Sequence, residues 1–161
     1  MRILGIDPGS RRTGWGVVQL EGTKLRQIGA GTIKVAEKLP LAKRLHLIHQ
    51  GLEQVVHEYG PEAVAVEEIF FARYPNAALK LGHARGVALL VASQCELEVH
   101  EYPPAIVKRT VVGRGAADKT QVTRLITALL GLKTPPEEDA ADALAVAITH
   151  IQAYRSKALG R

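Results

Sequence analysis

At 161 residues the chain has the length of one ordinary domain, and roughly two-thirds of its extended surface can be buried on folding. A hydrophobic fraction of 47% with 23% charged residues excludes a disordered or fibrous chain, while 21 Lys and Arg against 16 Asp and Glu give a net charge of +5, which favours a polyanionic partner. Cys95 is the single cysteine, so an intramolecular disulfide and a cysteine-based zinc site are excluded; with no signal-peptide core at the start and no apolar run near the ~20 residues that span a bilayer, a cytoplasmic protein is expected.

Residues 2–7 (RILGID) form an apolar run that ends in an acid, and Pro8-Gly9-Ser10 is turn chemistry, so a strand stopping at Asp7 is predicted. Residues 14–20 (GWGVVQL) and 24–35 (KLRQIGAGTIKV) flank a hairpin-like turn at Glu21-Gly22-Thr23, which makes three antiparallel strands in succession. From Pro40 to Tyr59, Leu41, Leu45, Ile48, Leu52, Val55 and Val56 recur at three- and four-residue steps, the pattern of an amphipathic helix, and Gly60-Pro61 ends it. Residues 62–67 (EAVAVE) give a fourth strand that again ends at an acid. After a loop with Phe70, Phe71, Tyr74 and Pro75, residues 76–94 read as a helix rich in Ala and Gly and apolar over most of its circumference, expected to be buried on more than one side. Residues 96–102 (ELEVHEY) alternate as a fifth strand, Pro103-Pro104 opens a short helix to about Val112, and Gly113-Arg114-Gly115 is a loop. Two further helices are predicted over about 118–131 and 137–154, separated by Lys133-Thr134-Pro135-Pro136. The tail 155–161 carries Arg155, Lys157 and Arg161 without an acid and is expected to fray, leaving residues 1–154 as one domain without repeats or linkers. The order implies an α/β fold with a five-stranded mixed sheet and helices on both faces, and it resembles that of RNase H-like folds.

Asp7 and Glu67 each stand at the carboxyl end of a predicted strand, where open α/β sheets place their ligands. If those strands are neighbours the two carboxylates converge and repel, and a hard divalent cation such as Mg²⁺ or Mn²⁺, which prefers oxygen ligands, relieves the repulsion. Asp139 and Asp142 lie three residues apart at a helix start and share one face of its first turn. Helix-start acids are also favoured by the helix dipole, so position alone leaves a structural reading open. The context favours the other reading: Ala140, Ala141, Ala143, Ala145 and Ala147 are small enough to let the helix press against the sheet and carry both acids towards Asp7 and Glu67. Four acids could then hold two metal ions about 4 Å apart for in-line attack on a phosphodiester. Strand alternation puts Glu67 with Ala63 and Ala65, and Glu68 with Val64 and Val66, but does not choose between the two acids.

Between 108 and 124, Lys108, Arg109, Arg114, Lys119 and Arg124 face a single acid, Asp118, a basic stripe suited to a phosphate backbone that carboxylates would repel. Gly113 and Gly115 would let backbone amides approach phosphates, and Arg11, Arg12 and Arg73 extend the basic rim next to the acids. Phe70 and Phe71 follow shortly after Glu67-Glu68; either they plug the core or one stacks on an unpaired base, a contact worth ~1–3 kcal/mol.

Four strings are specific enough to carry a resemblance: ILGIDPGSRRTGWGVV at 3–18, AVEEIFFARYPNAALKLGHARGVAL at 65–89, YPPAIVKRTVVGRGAADKTQV at 102–122 and DAADALAVAITH at 139–150. On them, from Met1 to about His150, the chain resembles the RuvC family of bacterial Holliday-junction resolvases. The resemblance implies an RNase H-like fold, a homodimer, Mg²⁺ dependence with two ions per subunit, and paired nicks across a four-way DNA junction in recombination and repair. It implies catalytic and metal-binding roles for Asp7, Glu67, Asp139 and Asp142, which takes Glu67 over Glu68. It also implies that Phe70 lies at the junction centre, that Lys108 and Lys119 contact DNA, and that the RuvA–RuvB branch-migration complex is a partner. The helix at 76–94, with Lys80, His83 and Arg85 punctuating an apolar surface, would suit a two-fold interface. Rival readings are an RNA or RNA–DNA hybrid nuclease using the same acids, an actin-like ATPase, for which 161 residues supply too few lobes, and a junction-binding protein that has lost catalysis, from which no acid is missing.

Overall fold

The structure, a computed structural model, describes residues 1–68, 75–113, 118–158 and 160. Ten elements follow one another: β1 (Arg2–Asp7), β2 (Arg12–Glu21), β3 (Lys24–Lys34), α1 (Leu41–Tyr59), β4 (Ala63–Glu67), α2 (Pro75–Gln94), β5 (Glu98–Tyr102), α3 (Pro104–Val112), α4 (Lys119–Leu129) and α5 (Glu138–Ala158). The strands form one five-stranded sheet in the order β3-β2-β1-β4-β5, antiparallel from β3 to β1 and parallel from β1 through β4 to β5. The mixed α/β sheet with helices on both faces is therefore as expected.

Alternation along the strands sorts the core into two layers. Leu4, Ile6, Val17, Val64 and Val66 pack with Ile48, Leu52 and Val55 of α1 and with Ala84, Ala88 and Val91 of α2. Ile3, Val18, Ala63 and Ala65 point the other way, into a cluster with Val107 of α3, Ile126 of α4 and the run Leu144–Ile148 of α5. Each fully buried Leu or Ile contributes roughly 1.5–3 kcal/mol of transfer free energy.

Packing of α5 is closest where the sheet carries no side chain. A Cβ on Gly5 would stand 1.9 Å from the carbonyl oxygen of Ala143, and one on Gly14 would stand 1.9 Å from that of Asp139. Gly16, cross-strand partner of Gly5, would meet the Leu144 side chain at 2.6 Å. Glycine on β1 and β2 therefore complements the alanines of α5, and helix backbone lies directly on strand backbone.

Three expectations need correction. The helix α2 is buried on one side only within the chain, through Ala84, Ala88, Val91 and Ala92, while Leu79 (62%) and Leu90 (50%) are exposed beside an apolar groove of about 860 Å³. Gly113 is the left-handed C-cap of α3, with φ 73°, and its N–H donates to the Arg109 carbonyl, so this amide is already committed and does not point at a ligand. Finally, α5 runs on to Ala158, past the point where fraying was expected, and Arg155 and Lys157 in its last turn complement the negative end of the helix dipole. No helix among the described residues is long and apolar enough to cross a membrane.

Candidate active site

The strands β1 and β4 are adjacent and parallel, paired from Ile3↔Ala63 to Ile6↔Val66, so the next residues, Asp7 and Glu67, end side by side at the carboxyl edge of the sheet. Both lie on the α5 face, because their alternation partners Ile3, Ala63 and Ala65 belong to the cluster around α5. Glu68 falls on the opposite alternation, and its N–H donates to the Tyr102 carbonyl at 2.9 Å. From above, α5 supplies Asp139 and Asp142, and the bare backbone at Gly14, the cross-strand partner of Asp7, lets the start of this helix come down beside the strand ends.

Asp7, Glu67 and Asp142 line one cavity of about 250 Å³, together with Lys108 of α3, Lys119 of α4 and the apolar wall Val107, Val122 and Ala145. Asp139 is not among the residues that line it; Arg12 donates through Nε to its Oδ2 at 2.6 Å, while its charge still acts on Asp7 and Asp142. Lys34 donates to Glu137 at 2.9 Å and Arg12 lies 3.6 Å from the same carboxylate, so the start of α5 is tied to β2 and β3 by a chain of charges. Lys119 bonds to Glu138 and lies 3.8 Å from Asp142. Its own helix begins at Asp118, which accepts the Gln121 N–H while the Gln121 side chain accepts from the Asp118 N–H; this capping box fixes where Lys119 starts.

The electrostatics are those of a site short of positive charge. Burial, then the charges of Asp142, Glu67 and Asp139, push the Asp7 carboxyl up to about 8 against a partial offset from Lys119. Burial and Asp142 raise Glu67, with Lys108 and Lys119 opposing. Burial likewise raises Asp142, although Lys119 pulls against it. Among the described residues no three acid, histidine or cysteine side chains stand as a finished metal cage. The donor set is nonetheless all oxygen, and Lys108 and Lys119 offset its charge only in part, a combination that fits a hard divalent cation.

The other expected contacts are distributed around this centre. Lys108 and Lys119 line the carboxylate cavity itself. Arg11 bonds to Glu37 at 2.7 Å and Arg12 is held by Asp139, so in this structure neither is a free cation on the rim. Phe70, Phe71, Arg73, Tyr74, Arg114 and Gly115 lie outside the described residues. Sequence reasoning missed the Lys34–Glu137 link, because nothing local joins residues 103 positions apart. It also missed Arg44, a buried cation whose signal was present: with Ile48 and Leu52 it continues the four-residue step of the buried face of α1.

Comparison with known proteins bears on this arrangement directly. The family model described as crossover junction endodeoxyribonuclease RuvC matches residues 3–150. The chain belongs to the RuvC family. Crossover junction endodeoxyribonucleases RuvC of Rhodopseudomonas palustris and Azorhizobium caulinodans are 52% and 50% identical to it, over 99% and 100% of this chain and 94% and 95% of theirs. Among solved structures, Thermus thermophilus RuvC superposes with a TM-score of 0.88 at 39% identity, covering 98% of this chain and 97% of that one. The same protein in complex with a Holliday junction substrate gives a TM-score of 0.92, covering 98% and 96%. The yeast mitochondrial Holliday junction resolvase, at 14% identity and a TM-score of 0.66 over 98% of this chain and 83% of that one, shares the fold. The resemblance read from the four sequence strings is thus shown as family membership, and the RNase H-like fold with it.

Proposed function

We infer that the chain is a Holliday-junction resolvase, a structure-selective endonuclease that hydrolyses DNA phosphodiesters at four-way junctions in recombination and repair. The observation that carries this reading is the convergence of Asp7, Glu67 and Asp142 on one cavity that also receives Lys108 and Lys119, in a chain of the RuvC family. A hybrid nuclease would use similar acids, but relatives at half identity over the whole chain are named crossover junction endonucleases, and the Thermus thermophilus relative was solved on a junction substrate.

In this reading Asp7, Glu67, Asp139 and Asp142 hold two divalent ions per subunit, Mg²⁺ by preference with Mn²⁺ able to substitute. Bound there, the ions would lower the pKa of an attacking water and neutralise charge on the leaving oxygen. The chain's own residues do the rest. Burial keeps the carboxylates in a low-dielectric wall where they bind cations strongly, and Lys108 and Lys119 bring phosphate to a surface that acids alone would repel. Asp139, held here by Arg12, would join the other three acids in holding the ions, and Arg11, Arg12, Arg73 and Arg114 would extend the basic surface along the DNA. Phe70, two residues after the acidic pair, stacks on a base opened at the branch point.

Resolution needs two cuts, so two copies are required, and the exposed apolar flank of α2 around Leu79, Gly82, Gly86 and Leu90 is the surface on which a two-fold homodimer closes. The RuvA–RuvB complex is the partner that would deliver the junction. The test is incubation with a synthetic four-way junction, a linear duplex and an RNA–DNA hybrid, with and without Mg²⁺. Paired, metal-dependent nicks confined to the junction are expected; cutting of the hybrid alone would overturn the substrate assignment.

A further inference from the structure

At the carboxyl edge of the sheet a second concavity lies on the α1 and α2 side of the Gly9–Arg12 loop, away from the carboxylate cavity. It is a cleft of about 820 Å³ whose walls include that loop, Arg44 of α1, and Asn76 and Lys80 of α2. The lining carries four cations, Arg11, Arg12, Arg44 and Lys80, against Glu37 as its acid. Two of the four are already committed, Arg11 to Glu37 at 2.7 Å and Arg12 to Asp139 at 2.6 Å. Arg44 and Lys80 form no ion pair among the described residues.

Arg44 is the unusual member. It is 6% exposed, sits in the buried stripe of α1 with Ile48 and Leu52, and has no carboxylate beside it among the described residues. One guanidinium nitrogen donates to the Ser10 carbonyl at 2.9 Å, and the buried Nε finds no hydrogen-bond partner among the described residues. A buried charge without a counter-ion is costly, and a chain that keeps one at the wall of an open cleft has a use for an anion there. A guanidinium suits a phosphate better than an ammonium does, because its planar donors match two oxygens at once.

We propose that this cleft binds a phosphodiester group of the DNA backbone, with Arg44 as its buried anchor and Lys80 and Asn76 at its mouth. The proposal rests on the resolvase reading and deepens it. The loop that separates the two concavities begins just after Asp7, so a strand that presents one phosphate to the carboxylates continues across the loop and presents another to Arg44. The strand is thereby held on both sides of the sheet edge, at the scissile group by lysines on the α3 and α4 side and at a second phosphate by Arg44 on the α1 side. The alternative role for Arg44 is to buttress the loop through the Ser10 carbonyl, and that role needs no DNA.

The experiment measures junction binding by the full chain without divalent cations, as a function of salt, for the unsubstituted protein, Lys80→Gln and Arg44→Gln. In parallel, single neutral methylphosphonates replace successive backbone phosphates near the cut. Each substitution is expected to reduce the slope of log K against log salt by about 0.9, the value for one lost phosphate contact. One methylphosphonate position should weaken binding of the unsubstituted protein and have no further effect on Arg44→Gln. Unchanged slopes for both variants, or the absence of any such position, would overturn the proposal in favour of a loop buttress. If the variant at buried Arg44 fails to fold, which thermal melting reveals, exposed Lys80 and the methylphosphonate series decide alone. Failure of the unsubstituted chain to bind or cut a junction at all would remove the resolvase reading itself, and that is seen before any variant is made.

Discussion

The two faces of the sheet are built by opposite means. On the α1 and α2 face, Leu4, Ile6, Val17, Val64 and Val66 fill the space under two helices with branched side chains, and α2 keeps a flank of Leu79 and Leu90 uncovered. On the α5 face the strands give up their side chains at Gly5, Gly14 and Gly16, and a helix of alanines lies on the bare backbone. A filled face tolerates exchange of one apolar group for another, since its helices can settle outward by fractions of an ångström. A face of backbone on backbone has no such latitude. It fixes the height of α5 over β1, and with it the distance from Asp139 and Asp142 to Asp7 and Glu67. Precision is concentrated beside the four proposed metal-binding acids, and plasticity under the flank proposed for a second copy.

The sharpest break in this comparison comes from the carboxylates. Asp7→Asn or Glu67→Gln is expected to lower cleavage roughly 10²–10³-fold, on the order of the ~2.7–4 kcal/mol lost with one preorganised electrostatic contact, while junction binding persists because Lys108 and Lys119 remain. Loss of binding in step with cleavage, followed on a labelled junction, would assign these acids to the fold instead. Next in size is Gly5→Ala, whose Cβ meets the Ala143 carbonyl at 1.9 Å with no flexible side chain to yield. It should destabilise by ~3 kcal/mol or more in denaturant unfolding, about as much as removing three carbons in Leu52→Ala on the other face, where ~2–5 kcal/mol is expected. The two should part in function: the Gly5 variant loses cleavage beyond its loss of stability and the Leu52 variant does not.

Smaller effects sharpen the contrast. Leu79→Glu with Leu90→Glu, placed on the open flank of α2, should leave the fold intact and convert a dimer to monomers in sedimentation; an unchanged mass would move the interface elsewhere. The smallest effect concerns protons. With the Asp7 carboxyl pushed up to about 8 in the fold and near ~3.9 in an unfolded chain, the unfolded state binds fewer protons between those pH values, so the metal-free fold loses stability as pH rises from about 4 to 8. The raised Glu67 and Asp142 act in the same direction. Asp7→Asn should therefore melt above the unsubstituted chain at pH 8.5, by ~1–3 kcal/mol given that a tenfold change in proton affinity is worth about 1.4 kcal/mol, and the gap should close towards pH 4. A constant gap across that range would contradict the burial of Asp7.

Much of this architecture was legible because local signals agree with the global fold. The runs ending at Asp7 and Glu67 end as strands at those residues, and the apolar steps from Leu41 to Val56 become one helix. Alternation left Glu67 and Glu68 open, since choosing a face requires knowing which helix covers it; Ala63 and Ala65 turn out to lie under α5. The exposed side of α2 was unreadable for a related reason, because a pattern of Leu, Ala and Gly is the same whether its cover comes from one chain or two. Gly5 and Gly14 looked like ordinary strand glycines until Ala143 and Asp139 arrived from the far end of the sequence. Arg12 likewise looked like a DNA contact, and its bond to Asp139 spans 127 positions that no local signal bridges.

The glycine strip has a consequence in time as well as in space. Asp7 enters its strand at the beginning of synthesis, Glu67 joins it sixty residues later, and the strip at Gly5, Gly14 and Gly16 stays uncovered until Ala143 and its neighbours emerge. Contacts of such long range form late in folding and cannot form at all on a stalled or truncated chain. On the proposed reading a nascent molecule therefore carries its basic stretches before its four acids are assembled, and cutting would await the docking of the last helix.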